Sequence, residues 1–149
     1  MGHDVEQIVG PVDESAAVPV TAATVEHEDT GIKTILLVED DESIGEVLVQ
    51  AILQETSFMA LLVSNGFEAL RAVQAIRPHL FILDYHLPRM NGIELYDQLH
   101  TIPELANVPA IMISARLPRH ELVRRDILGM NKPLDLDEFL QAIEDRIHS

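Results

Sequence analysis

The chain has 149 residues, 47% of them hydrophobic, with a formal net charge of −15 and no cysteine. That length holds one domain with a full core, and no apolar run approaches the roughly 20 residues a membrane-spanning helix needs. The charge argues against direct DNA binding or contact with an anionic membrane, and the lack of cysteine excludes disulfides and thiolate metal sites, as suits a cytoplasmic protein.

Seven histidines occur without HxxxH or HxH spacing, so an imidazole-based transition-metal site has little support. No basic stretch followed by an apolar one marks a leader. Residues 1–31 carry seven acids and no Lys or Arg, with small residues through "SAAVPVTAATVEHEDTG". They read as a disordered acidic N-terminal extension, with the folded domain in 32–149.

From Ile32 onward, short apolar runs alternate with helical patterns. "TILLV" (Thr34 to Val38) reads as a buried strand, followed at once by Glu39, Asp40, Asp41 and Glu42. A helix follows with Ile44, Val47, Leu48, Ala51 and Ile52 on one stripe and Asp41 as its N-cap. "MALLVS" predicts a second strand, and Asn65-Gly66 opens a helix through Phe67, Leu70, Val73 and Ile76 that ends before Pro78. "LFILD" (Leu80 to Asp84) is a third strand. Its four apolar residues ending in one carboxylate read as a strand buried on both faces. The loop "LPRMNG" then leads to a helix from Gly92 to about Thr101 that buries Ile93, Tyr96 and Leu99. "PAIMIS" is a fourth strand, and "ARLPRHELVRRD" supports only a short helix. "ILGMN" is a fifth strand interrupted by Gly129. The last helix starts at Asp135, with Glu138 placed for a capping box, and buries Leu136, Phe139, Leu140, Ile143 and Ile147. Five β–α units with buried strands predict a doubly wound five-stranded parallel sheet flanked by helices.

In such a sheet all carboxyl ends lie on one edge, where ligands bind. Glu39 and Asp40, Asp84, Ser114 and Lys132 are therefore expected to converge. Like-charged carboxylates about 4 Å apart repel by about 1 to 4 kcal/mol per pair, so the cluster calls for a cation. All-oxygen ligands favour a hard ion such as Mg²⁺. A metal, an ammonium and a hydroxyl around one carboxylate together suit a phosphoryl group.

The motifs "ILLVEDDESI", "LFILDYHLPRMNG", "IMISA" and "NKP", in this order and register, resemble the receiver domain of two-component response regulators, with its CheY-like flavodoxin fold. The resemblance runs from about Lys33 to Ile147. It implies that Asp84 is phosphorylated by a phosphohistidine on a sensor histidine kinase or histidine phosphotransfer protein. Asp40 would coordinate Mg²⁺, with Glu39, where the family often has Asp, acting directly or through water. His86 would lend its backbone carbonyl to the metal, Ser114 would hydrogen-bond the phosphoryl group and Lys132 would pair with it. A cis Lys132–Pro133 bond is implied too. The side chains of His86 and Arg116 are expected at the site mouth, tuning access.

Two departures stand out. The stretch from Ser114 to Lys132 is about one helical turn shorter than usual in the family, so the fourth helix should be short or degenerate. Gly129 occupies the position of the family's switch aromatic. The expected function is a phospho-acceptor rather than an enzyme on separate substrates, without a fused output domain and signalling to an unidentified downstream protein. The alternative is a pseudo-receiver that binds protein constitutively.

Overall fold

The computed structural model describes residues 31–148, so the extension predicted for 1–31 lies almost wholly outside the described residues. Five strands, β1 (Thr34–Val38), β2 (Met59–Val63), β3 (Leu80–Asp84), β4 (Ala110–Ser114) and β5 (Leu128–Asn131), alternate with helices. The helices are α1 (Glu42–Glu55), α2 (Gly66–Ala72), α3 (Gly92–His100), α4 (Arg119–Arg125) and α5 (Leu136–Ile147). The sheet order is β2-β1-β3-β4-β5, and every pairing is parallel. This is the flavodoxin-like arrangement expected from the alternation.

Because successive strand side chains point to opposite faces, the apolar runs feed two cores. Leu36, Val38, Phe81, Leu83 and Met112 pack with Ala69, Leu95, Leu99 and Leu122 beneath α2, α3 and α4. Ile35, Leu37, Ile82, Ile111 and Ile113 pack with Leu48, Ile52, Phe139 and Ile143 beneath α1 and α5. β3 and β4 are buried at every position, as the sequence predicts for central parallel strands.

The helix ends follow their capping residues. Asp41 accepts a hydrogen bond from the Ile44 amide at the start of α1. Asp135 does the same for Glu138 in α5, but the full reciprocal box forms at α3, between Asn91 and Glu94. Several expectations fail in detail. α2 ends at Ala72 rather than running on to Ile76, because Gln74 and Ala75 bond back three residues and tighten the chain into turns. Val47, Phe67 and Leu136 lie on apolar stripes but are 54%, 46% and 41% exposed. Val47 and Leu136 flank an open groove of about 700 Å³ that neither α1 nor α5 closes. The Arg89 guanidinium lies over the half-exposed Phe67 ring, 5.0 Å from its centre. Val49 and Leu95, which the predicted stripes omit, are buried instead.

The predicted short fourth helix is seven residues long. It ends at Asp126 in the left-handed conformation (φ 58°), so the chain turns directly into β5. Arg125 binds the Asp97 carboxylate of α3 through two nitrogens, at 2.7 and 2.9 Å. The Tyr96 hydroxyl donates to the Arg125 carbonyl at 3.1 Å. A helix of two turns has little packing surface of its own, and these bonds fasten it to its longer neighbour.

Candidate functional site

The parallel register decides which side chains meet. Val38 stands opposite Leu83, so the next residues, Glu39 and Asp84, leave adjacent strands on the same edge. Glu39 is 2% exposed and Asp84 4%. The Asp41 amide, at the N-terminus of α1, donates to Glu39 Oε2 at 3.1 Å. The His86 amide donates to Asp84 Oδ1 at 3.1 Å. Lys132 enters from the end of β5, its amide bonded to the Ser114 carbonyl at 3.0 Å. Its Nζ spans both acids, 3.3 Å from Glu39 Oε1 and 3.1 Å from Asp84 Oδ2. The Lys132–Pro133 peptide is cis.

Asp40 is exposed, and carboxylate oxygens of Glu39, Asp40 and Asp84 all lie within 4.8 Å of one another. Three acids thus face one ammonium. Burial, with Asp84 alongside, pushes the Glu39 carboxyl from 4.5 to about 7, against the pull of the Asp41 amide and Lys132. Burial alone would lower the Lys132 ammonium, but its bonds to Asp84 and Glu39 outweigh that and raise it. An oxygen-only, under-neutralised acidic cluster with one exposed member suits a hard divalent cation. Glu39, Asp40 and Asp84 are the residues that would hold one.

Ser114 is fully buried at the end of β4, beside this edge. Its hydroxyl donates to the Arg116 carbonyl at 2.9 Å and accepts from the Arg116 amide at 3.0 Å. The hydroxyl is therefore engaged with its own loop. His86 and Arg116 are both exposed, and the His86 ring packs edge-on against Tyr85. Behind Asp84 the chain folds back tightly. A Cβ on Gly92 would lie 2.6 Å from the Asp84 carbonyl oxygen and 3.0 Å from Tyr85 Cα, so only glycine permits this approach.

Features outside the sequence reading surround the switch region. The space beside Gly129 is filled by Leu122 and Leu117, whose methyl carbons lie 2.7 and 2.9 Å from where a Cβ would sit. The apolar groove opens next to Lys132, between Ile44, Val47, Leu134 and Leu136. The exposed Val47 and Leu136 were the signal for it, hidden because helical periodicity counts them as core.

The model of the response regulator receiver domain matches residues 35–144. The chain belongs to that family. As a receiver domain it is 36% identical over 107 residues to the DNA-binding response regulator MtrA of Mycobacterium tuberculosis, covering 72% of this chain and 43% of that protein. It is 27% identical over 116 residues to the polar-differentiation response regulator DivK of Brucella anthropi, covering 75% of this chain and 94% of that one. The chain therefore spans less than half the length of the MtrA proteins and nearly all of DivK. The chemotaxis protein CheY4 of Vibrio cholerae superposes with a TM-score of 0.71 at 23% identity, covering 77% of this chain and 98% of that one. The receiver domain of a Pseudomonas aeruginosa sensor histidine kinase, whose structure has a magnesium ion coordinated in its active-site cleft, gives 0.68 at 23% identity, covering 79% and 99%. Among the described residues of this receiver no helix is long and apolar enough to cross a membrane.

Proposed function

We propose that this receiver accepts a phosphoryl group on Asp84 from a phosphohistidine of a sensor histidine kinase or phosphotransfer protein, in a Mg²⁺-dependent reaction. The observation that carries this reading is the Lys132 ammonium held between two buried carboxylates beside a third, exposed one. An oxygen of Asp84 attacks phosphorus, the P–N bond breaks, and the imidazole leaves with the bonding electron pair. Lys132 turns to the phosphoryl oxygens as their charge arrives, and the His86 amide keeps Asp84 oriented. Glu39, Asp40 and Asp84, with the His86 carbonyl, would hold Mg²⁺, which would supply charge neutralisation. Ser114 exchanges its Arg116 bonds for one to the phosphoryl group. His86 and Arg116 flank the mouth and tune water access. The groove beside Lys132 offers the donor an apolar landing surface.

In this reading the chain acts in the cytoplasm as a phospho-acceptor, not as an enzyme on separate substrates. It signals through protein–protein contacts. The test is incubation with Mg²⁺ and a small phosphoramidate donor, followed by intact mass. One phosphoryl group should appear in the wild type and none in Asp84→Asn; none in either refutes the proposal. A second reading, a constitutive protein-binding pseudo-receiver, draws on the Ser114 hydroxyl being bonded into its loop and on Gly129 at the aromatic position. Failure of both Mg²⁺ and beryllofluoride to shift backbone amides at Glu39, Asp40 and Asp84 would favour it.

A further inference from the structure

α4 turns Leu122 into the core and presents Arg119, His120, Val123 and Arg124 outward. Val123, at the middle of this stripe, is 79% exposed. Arg116, also exposed, precedes the stripe in the loop after β4. Arg116 and Arg119 make no side-chain ion pair with the described residues. Three acids lie nearby. Glu121 is shared by Arg124 and Arg125, Asp97 is held by Arg125, and Asp126 stands 4.0 Å from Arg146.

Four of the ten Lys and Arg residues of the chain therefore fall within residues 116–125, in a protein of net charge −15. On α1 and α5 the outward charged positions are acidic, Glu42, Glu46 and Glu55 on the first and Asp137, Glu138, Glu144 and Asp145 on the second, whereas α2 presents a single arginine, Arg71. An acidic segment tethered to this domain is repelled by α1 and α5 and attracted to α4, where arginines surround an exposed valine. The chain carries such a segment. Residues 4–14, "DVEQIVGPVDE", hold Asp4, Glu6, Asp13 and Glu14 interleaved with Val5, Ile8, Val9 and Val12, and no base. Arginines flanking a valine complement acids flanking valines.

We infer that residues 4–14 dock in cis on the outward face of α4, by ion pairing to Arg116, Arg119 and Arg124 around Val123. Reach is no obstacle. The intervening residues 15–30, extended, span about 50 Å, against a domain about 35 Å across. The tether sets a local concentration in the millimolar range, and each exposed pair multiplies occupancy by about two-fold. The contact is thus a fast equilibrium, strong at low ionic strength and lost once the Debye length falls to about 3 Å at 1 M salt. Docked, the segment shields α4 and the Arg116 loop that holds the Ser114 hydroxyl. An acidic partner must displace it to reach that face.

The absence of native cysteine makes the test clean. A spin label on Ser15→Cys in the full chain, with amide NMR in 20 mM salt, should broaden residues 116–125 at least two-fold more than α1, α2 or α5. The effect should vanish in 1 M salt, and in Arg119→Glu/Arg124→Glu at low salt. Because the salt arm uses the unaltered receiver fold, misfolding of the double variant cannot decide the outcome. Uniform broadening, none, or broadening unchanged by salt overturns the inference. So does broadening seen only when unlabelled-spin ¹⁵N chains are mixed with spin-labelled ¹⁴N chains, which assigns the contact to two copies.

Discussion

The raised Glu39 carboxyl leads to a measurable competition between protons and Mg²⁺. With its midpoint at about 7 in the metal-free protein, Glu39 is about nine-tenths ionised at pH 8 and about one-tenth at pH 6. If Mg²⁺ takes only the ionised form, its affinity falls about tenfold between those two values. Isothermal titration at pH 6, 7 and 8, at fixed ionic strength in buffers of differing ionisation heat, reads both affinity and proton release. Close to one proton should leave per metal at pH 6 and few at pH 8. Glu39→Gln should bind more weakly and lose this pH dependence. Equal wild-type affinity at pH 6 and 8, or the same dependence in Glu39→Gln, refutes the electrostatic account. Stability follows the opposite course without metal. A carboxyl whose folded value is raised from 4.5 to about 7 stabilises the fold fully below pH 4.5 and loses that contribution as pH rises through 7, by about 3 kcal/mol. Urea midpoints should therefore fall from pH 5 to pH 8, and Mg²⁺ should restore part of the loss at pH 8.

Lys132→Ala leaves Glu39 and Asp84 facing one another. It should cost about 2 kcal/mol in urea unfolding, below the 3–5 kcal/mol of a fully buried pair, because Lys132 is 26% exposed; a loss that Mg²⁺ does not reduce would contradict the reasoning. Gly92→Ala forces a Cβ to 2.6 Å from the Asp84 carbonyl oxygen, where only backbone can yield, so it should cost about 3 kcal/mol and impair phosphorylation. Gly129→Ala meets leucine methyl groups that can turn aside, and should cost about 1 kcal/mol by the same measurement; equal losses at the two glycines would break the distinction. Arg125→Ala removes the link between α3 and α4. It should speed amide exchange in α4 selectively while lowering global stability by only about 1 kcal/mol; unchanged α4 exchange would show that packing alone holds the helix.

The strands were legible because a parallel sheet buried on both faces leaves uninterrupted runs such as "LFIL" and "AIMI". The convergence of Glu39, Asp40, Asp84 and Lys132 was legible for the same reason, since parallel strands have only one carboxyl edge. Sequence periodicity failed where a helix has more apolar surface than its neighbours cover. Val47, Phe67 and Leu136 fit the repeat, but only tertiary packing decides which residues of the stripe are sealed. The direction of the Ser114 hydroxyl was also hidden, because either its own loop or the site could satisfy it. The pairing of Arg125 with Asp97 was hidden too, because it depends on how α4 sits against α3, which no local pattern encodes.

The leucine-filled space at Gly129 also has an evolutionary consequence. Leu117 and Leu122 stand where an aromatic ring at 129 would have to pass, so a single substitution placing Tyr or Phe there meets overpacking from two side chains at once. Trimming either leucine first opens a cavity beside β5. The three positions are coupled, and each intermediate is less stable than its neighbours in sequence. Stability thus holds this arrangement at glycine, while the exposed charges of α4 stay free to vary.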